Sequence, residues 1–281
     1  MNRFDGKIAV VSGGTQGLGA AIAAVLAERG AAGIVTCGRN RENGDAVANS
    51  LTSETGCAVR FVPADLSSVN DCRKVIAEAD MAFGRVDILV NAAGVTDRGN
   101  ILNTSPERFD SIFAVNVRAP FFLMQDAAKI MIREGIEGSI INIGSTSALT
   151  GQPFIVAYSA SKGALATLTR NTAFALLQNR IRVNQLNIGW MSTEGEDRIQ
   201  REYHGAGDDW LDKAAAALPF GRLLEPSEVA RAVAFLASEE SGMMTGTVAN
   251  FDQSVWGGYA GAPPTPAARL SLDDDEAGAM V

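Results

Sequence analysis

The chain has 281 residues, 47% of them hydrophobic and 20% charged, with a formal net charge of −8. That length holds one large α/β domain or two small ones, and the mildly acidic body excludes a basic nucleic-acid-binding surface. A single histidine, His204, excludes a multi-histidine metal site, and no metal is expected.

The N-terminus, MNRFDGKIAVVSGG, has no signal-peptide core before its glycine turn. No apolar run reaches the length of a membrane span. Cys37, Cys57 and Cys72 show no CxxC or metal spacing and read as buried or free thiols in a reducing compartment. The expectation is a soluble cytoplasmic protein without a membrane partner.

Residues 7–12 form a short β-branched run, as in a buried parallel strand. Ser12-Gly13-Gly14-Thr15-Gln16-Gly17-Leu18-Gly19 follows, then an Ala/Leu-rich helix to about Arg29. Strand, glycine turn and helix can cradle a pyrophosphate: glycines admit it to the backbone, and the helix N-terminus offers free N–H groups. The spacing GxxxGxG differs from the commoner GxGxxG.

Residues 33–37 read as the second strand. An acid at its end would bind the ribose hydroxyls of NAD, but Gly38 stands there, with Arg39 and Arg41 beyond. An arginine accepts a 2′-phosphate, so NADP(H) is favoured and NAD(H) remains the alternative.

A helix over 42–55 leads to a strand over 58–62 and to Asp65 and Leu66, where adenine would lie. Ser67 or Ser68 caps the next helix, which runs to about Phe83. A strand over 86–90 delivers Asn91-Ala92-Ala93-Gly94, small residues that let a cofactor pass close to the backbone. Residues 106–133 read as helical, interrupted near Asn116 and Pro120.

A strand over 139–145 ends at Ser145. Tyr158 and Lys162 then share one face of a helix running to about Leu177. A neighbouring ammonium lowers a phenol pKa, which makes Tyr158 a candidate general acid/base. A strand over 181–186 precedes Ile188-Gly189-Trp190-Met191-Ser192-Thr193. Residues 194–218 are polar, bear Tyr203 and Trp210, and read as a substrate lid. A helix over 226–237 and a strand over 247–251 complete a doubly wound parallel α/β sheet, the Rossmann fold, with helices on both faces. One domain is expected over residues 1–260, with an acidic, flexible tail over 261–281.

Together these motifs resemble the short-chain dehydrogenase/reductase family over residues 4–257. Its TGxxxGxG turn is matched from Ser12 to Gly19, and its NNAG motif by Asn91-Ala92-Ala93-Gly94. The resemblance implies a catalytic set of Asn116, Ser145, Tyr158 and Lys162. It implies a cofactor site drawn from Gly13, Thr15, Gln16, Gly17, Leu18, Gly19, Arg39, Asp65, Leu66, Asn91, Ala92, Gly94, Tyr158, Lys162, Ile188, Gly189 and Thr193. Two departures stand out: Ile188-Gly189 replaces the usual PG, and Asp252-Gln253-Ser254 replaces an Asp followed by glycines.

The implied activity is hydride transfer between NADP(H), or NAD(H), and a secondary alcohol or ketone. The substrate is a small molecule, with a sugar or polyol among the candidates. Pocket residues are expected at Thr96, Asp97, Gln152, Trp190 and Met191 and in the Tyr203–Trp210 segment. The alternatives are a YxxxK nucleotide-sugar epimerase or dehydratase, and a silent cofactor-binding regulator. The family also implies a homotetramer or homodimer through the helices around residues 120–133 and 158–177.

Overall fold

The computed structural model describes residues 4–256. The segment 261–281, expected as a flexible tail, lies outside the described residues. Seven strands, β1 Ile8–Ser12, β2 Gly33–Gly38, β3 Ala58–Pro63, β4 Ile88–Asn91, β5 Ser139–Ser145, β6 Arg182–Ile188 and β7 Val248–Phe251, build one parallel sheet in the order β3-β2-β1-β4-β5-β6-β7. The order reverses between β1 and β4. Their carboxyl ends therefore frame the crevice where open α/β sheets bind ligands.

Helices cover both faces. On one, α1 (Gly17–Glu28) and α9 (Pro226–Ala237) pack Ile22, Leu26, Val229 and Val233 into a core with Ala9, Val11 and Ile141. On the other, α3 (Val69–Phe83), α5 (Ala119–Arg133) and α6 (Val156–Ala175) bury Val75, Ile76, Leu123, Met131 and Ala173 against Val10, Leu89 and Ile140. Two-sided burial explains why these strands read as continuous apolar runs. α2 (Arg41–Thr55) is capped by Asn40, whose Oδ1 accepts from Asn43 N at 3.0 Å. Ser68 caps α3 in the same way, the second of the two serines the sequence offers.

The interruption expected within residues 106–133 is a π-helical turn. α4 (Pro106–Phe113) passes through Ala114–Arg118 into α5 without leaving the helical path. Pro120 has no N–H for the carbonyl four residues back, that of Asn116, so the regular ladder cannot continue there.

A ladder of side chains, buried from β4 to β6 and ending at the exposed Asn250, crosses the sheet from β4 to β7. Asn91 Nδ2 donates to Asn142 Oδ1 (2.7 Å), and Asn142 Nδ2 to Thr169 Oγ1 on α6 (2.9 Å). Thr169 Oγ1 lies 3.1 Å from Gln185 Oε1, Gln185 Nε2 donates to Asn187 Oδ1 (2.7 Å), and Asn187 Nδ2 to Asn250 Oδ1 (3.1 Å). A Cβ on Gly144 would fall 2.1 Å from Asn187 Oδ1, so glycine there makes room for the ladder. Asn142→Ala orphans buried groups on Asn91 and Thr169. It is expected to lower the unfolding free energy by about 2–4 kcal/mol, measured by urea denaturation. A loss below about 0.5 kcal/mol would show that the ladder contributes little.

Candidate active site

The glycine turn is held by both backbone and space. Gly13 has φ +73°, and a Cβ on it would meet the Ala93 backbone at 2.9 Å. A Cβ on Gly19 would lie 2.1 Å from Gly13 O, so α1 starts pressed against the turn. Ser12 Oγ accepts from Ala92 N (3.1 Å) and Ala93 N (3.2 Å), tying the turns after β1 and β4 together across the crevice. No side chain caps α1 at Gln16, so its first N–H groups face an open cleft. Such a terminus can hold a phosphate.

That cleft encloses about 890 Å³. Gly13, Thr15, Gln16, Gly17, Leu18, Gly19, Arg39, Asp65, Leu66, Ala92, Gly94 and Thr193 all line it. Asn91 does not, because its side chain belongs to the sheet ladder. A Cβ at Gly38 would lie 2.7 Å from Thr15 Cγ2, so an acid at the end of β2 would displace the glycine turn. Arg39 is exposed at the cleft edge.

Ser145, the last residue of β5, Tyr158 and Lys162 meet beside the cleft and form the floor of the site, although none of the three lines the cleft itself. Ser145 is buried, and its Oγ accepts from Ser147 N at 3.1 Å. Lys162 is buried, donates to Ile143 O at 2.9 Å, and has its Nζ 5.7 Å from the Tyr158 ring centroid. A Cβ on Gly94 would come within 3.4 Å of that Nζ and 3.6 Å of Asn116 Oδ1, so the four groups share one small region. Asn116 Oδ1 accepts from Val95 N, and its Nδ2 donates to Val95 O and to Ser161 Oγ. The side chain fastens the loop after β4 to α6.

One electrostatic expectation is corrected. Spacing alone predicts a phenol pKa lowered by Lys162. Instead burial pushes Tyr158 above its ordinary value; the Ser145 hydrogen bond opposes this, Glu196 adds to it, and Arg98 opposes it again. Burial also lowers Lys162 to about 8. In the protein alone the ammonium is itself desolvated and turned toward a backbone carbonyl.

A second cavity of about 490 Å³ adjoins the first, sharing Met191 and Thr193. Ser145 and Tyr158 line it, as do the expected pocket residues Thr96, Gln152, Trp190 and Met191, together with Ile188 and Gly189. Asp97 is not among its lining residues. Its carboxylate accepts from Arg98 N (2.7 Å) and Arg108 Nε (3.0 Å), with Tyr203 Oη 3.4 Å away. The missing PG leaves an ordered turn: Gly189 N donates to Phe251 O, and a Cβ on Gly189 would collide with Asp252. Gln253, in the unusual C-terminal motif, accepts from Phe220 N and donates to Arg222 O.

The segment over 194–218 is more regular than its sequence suggested. α7 (Glu194–His204) is capped by Thr193, whose Oγ1 accepts from Glu196 N at 3.0 Å, and α8 (Trp210–Ala217) follows. Acids at the start of α7 and Arg201 and His204 at its end suit the helix dipole. Glu196, Gln200 and His204 recur every fourth residue and all face the pocket, joined there by Arg98 and Phe154. Sequence reasoning missed Glu196, Gln200, Arg98 and Phe154, whereas His204 lies in the expected Tyr203–Trp210 segment. The i, i+4 spacing was a visible signal, but only once the segment is known to be helical.

Comparison with known proteins agrees with this architecture. A family model described as enoyl-(acyl carrier protein) reductase matches residues 13–255. An uncharacterized oxidoreductase of Methylorubrum extorquens is 37% identical, over 89% of this chain and 98% of its own. Versicolorin reductase 1 of Aspergillus parasiticus is 36% identical, over 89% and 97%. The crystal structure of L-sorbose reductase from Gluconobacter frateurii, complexed with NADPH and L-sorbose, superposes with a TM-score of 0.85 at 27% identity, covering 92% of this chain and 100% of that one. With a matching family model, reductase relatives above 30% identity and the same parallel sheet, the chain belongs to the short-chain dehydrogenase/reductase family of oxidoreductases.

Proposed function

We propose that the enzyme reduces the ketone of a small polyhydroxylated substrate with NADPH, Tyr158 acting as the proton donor. The observation that carries this reading is the placing of Ser145 and Tyr158 in the smaller pocket that adjoins the large cleft, with the buried Lys162 beside the Tyr158 ring. When bound, NADPH supplies the hydride. The residues around the cleft fit it: free N–H groups at α1 for phosphates, Arg39 for a 2′-phosphate, and Gly38 where an acid would repel one. The L-sorbose reductase likeness supports both the cofactor and a hydroxylated ketone.

Tyr158 gives its proton to the carbonyl oxygen as negative charge develops there, and the Ser145 hydroxyl donates to the same oxygen. A phenol held above its ordinary pKa is fully protonated at neutral pH, which suits the reduction direction. Lys162, still charged below about pH 8, stabilises the resulting phenolate and holds the nicotinamide ribose. With the Asn116 side chain engaged, its main-chain carbonyl is the acceptor we assign to a water linking Lys162 to solvent. Polar groups beside Trp190, namely Gln152, Glu196 and Gln200, suit hydroxyls on the substrate.

The buried free thiols fit a reducing, cytoplasmic setting. Phe121 on α5 and Phe174 on α6 are 44% and 79% exposed, which fits a homo-oligomer, a tetramer in this reading. Light scattering at micromolar concentration is expected to give a multiple of 29.4 kDa. A monomer would refute that part.

Tyr158→Phe is expected to reduce turnover by at least about 10²–10⁴-fold while retaining NADPH affinity in fluorescence titration. Near-normal turnover would end the mechanism proposed here. Lys162→Met should lose turnover and also weaken NADPH. Folding favours the neutral amine of Lys162, so this group's contribution to stability rises as pH climbs from about 8 to 10.5. Removing it should therefore leave the thermal midpoint of the cofactor-free protein at pH 7 unchanged or raised, and a marked fall would contradict this.

Arg39→Ala tests cofactor choice. Binding of NADPH should weaken by about 1–3 kcal/mol, with little change for NADH. Equal losses for both cofactors would remove the role assigned to Arg39.

A further inference from the structure

Among the described residues Arg98 is the one strongly basic side chain lining the smaller pocket, and it is only 9% exposed. Its Nη2 lies 2.8 Å from His204 Nε2, and its Cζ is 5.5 Å from the ring centroids of both Phe154 and Tyr203. Its Nε is buried with no partner. Among the described residues no carboxylate lies within ion-pair distance of it. A buried guanidinium ordinarily has one, because an uncompensated buried charge is costly.

His204 cannot supply the missing charge. To accept from the guanidinium its Nε2 must carry the lone pair, which puts the proton on Nδ1. Burial, and then Arg98 itself, hold the imidazole below its ordinary pKa and keep it neutral. The pocket's carboxylate stands elsewhere: Glu196 Oε1 accepts from Trp190 Nε1 (2.7 Å) and from Gln200 Nε2 (2.8 Å). The pocket is thus bipolar. Arg98 offers a cation that Glu196 and Asp97 reach only from beyond ion-pair distance, and Glu196 offers an acceptor suited to hydroxyl donors.

We infer that Arg98 determines specificity by binding a carboxylate of the substrate, so that the enzyme's preferred substrates are polyhydroxylated oxo acids and not neutral ketoses. This rests on the ketone-reductase reading above and narrows it. The planar guanidinium matches a carboxylate, and the ion pair forms in a site already stripped of water. The hydroxyls along the same chain donate to Glu196.

A matched pair of probes isolates the charge. 5-Oxo-D-gluconate is L-sorbose with the terminal CH2OH at the far end from the ketone replaced by a carboxylate. With NADPH, the wild-type enzyme is expected to show a kcat/KM ratio favouring the oxo acid by at least about tenfold. In Arg98→Gln that ratio should collapse toward one, whatever happens to the absolute rates, and in Arg98→Lys it should be partly kept. A wild-type ratio near one, or an unchanged ratio in Arg98→Gln, would overturn the inference.

Binding separates this idea from the reading beneath it. D-Gluconate should bind the wild-type enzyme–NADP complex in calorimetry, D-sorbitol more weakly by at least about tenfold, and Arg98→Gln should lose the difference. Ketone turnover without any acid preference would leave the reductase reading intact and end this one. Acid-selective binding without reduction of either ketone would end the reductase reading while confirming the anion site. Equal binding of gluconate and sorbitol by the wild type would end the inference even if Arg98→Gln fails to fold.

Discussion

A sheet covered on both faces must find partners inside the protein for most of its polar side chains, and that constraint organises this molecule; among the described strand residues, Thr36 Oγ1 and Asn91 Oδ1 are buried without one. From Asn91 to Asn250, amides and one hydroxyl satisfy one another across four adjacent strands. A shift of one residue in any strand would turn its members to the opposite face and orphan them. The ladder therefore fixes register as well as satisfying hydrogen bonds. Through Thr169 it also sets the rotation of α6 about its axis, and α6 carries Tyr158 and Lys162. The position of the proposed proton donor beneath Ser145 is thus a consequence of how the interior resolves its polar groups.

Burial then sets the chemistry of the floor. The same desolvation moves Tyr158 up and Lys162 down, since each loses its charged form on leaving water. The two shifts bring the titration ranges of phenol and ammonium apart in the sense that keeps the phenol protonated. Gly94 leaves the space in which Lys162 and Asn116 approach. Stability is surrendered locally for this: a buried lysine without a carboxylate partner is unfavourable, and a backbone carbonyl offsets part of the cost.

The lid side of the site is held by a different kind of contact. Asp97, Arg98 and Arg108 on one side meet Tyr203 and His204 on α7 through a few polar contacts and ring faces. Trp190 and Trp210 reach Glu196 and Asp197 on the same helix, with their rings 6.1 Å apart. α7 buries no residue fully, in contrast with α6 and α9. An element with so little buried surface is held less firmly than the sheet.

The sequence by itself determined the order of strands and helices, because β-branched runs between glycine turns and capped helices leave little choice of period. It also determined the glycine turn and the Ser145, Tyr158 and Lys162 floor, since these depend on spacing within one or two adjacent elements. Tertiary structure decided the rest. Only packing shows that a Cβ at residue 38 would displace Thr15, that Asn91 belongs to the sheet and not the cleft, and that burial raises Tyr158 against the opposing pull of Ser145 and Arg98. Only the docking of α7 brings His204 to Arg98 across 106 residues of chain. Local pattern records which face of a segment is apolar; it carries no record of which distant charge that face will meet, or of how much water remains between them.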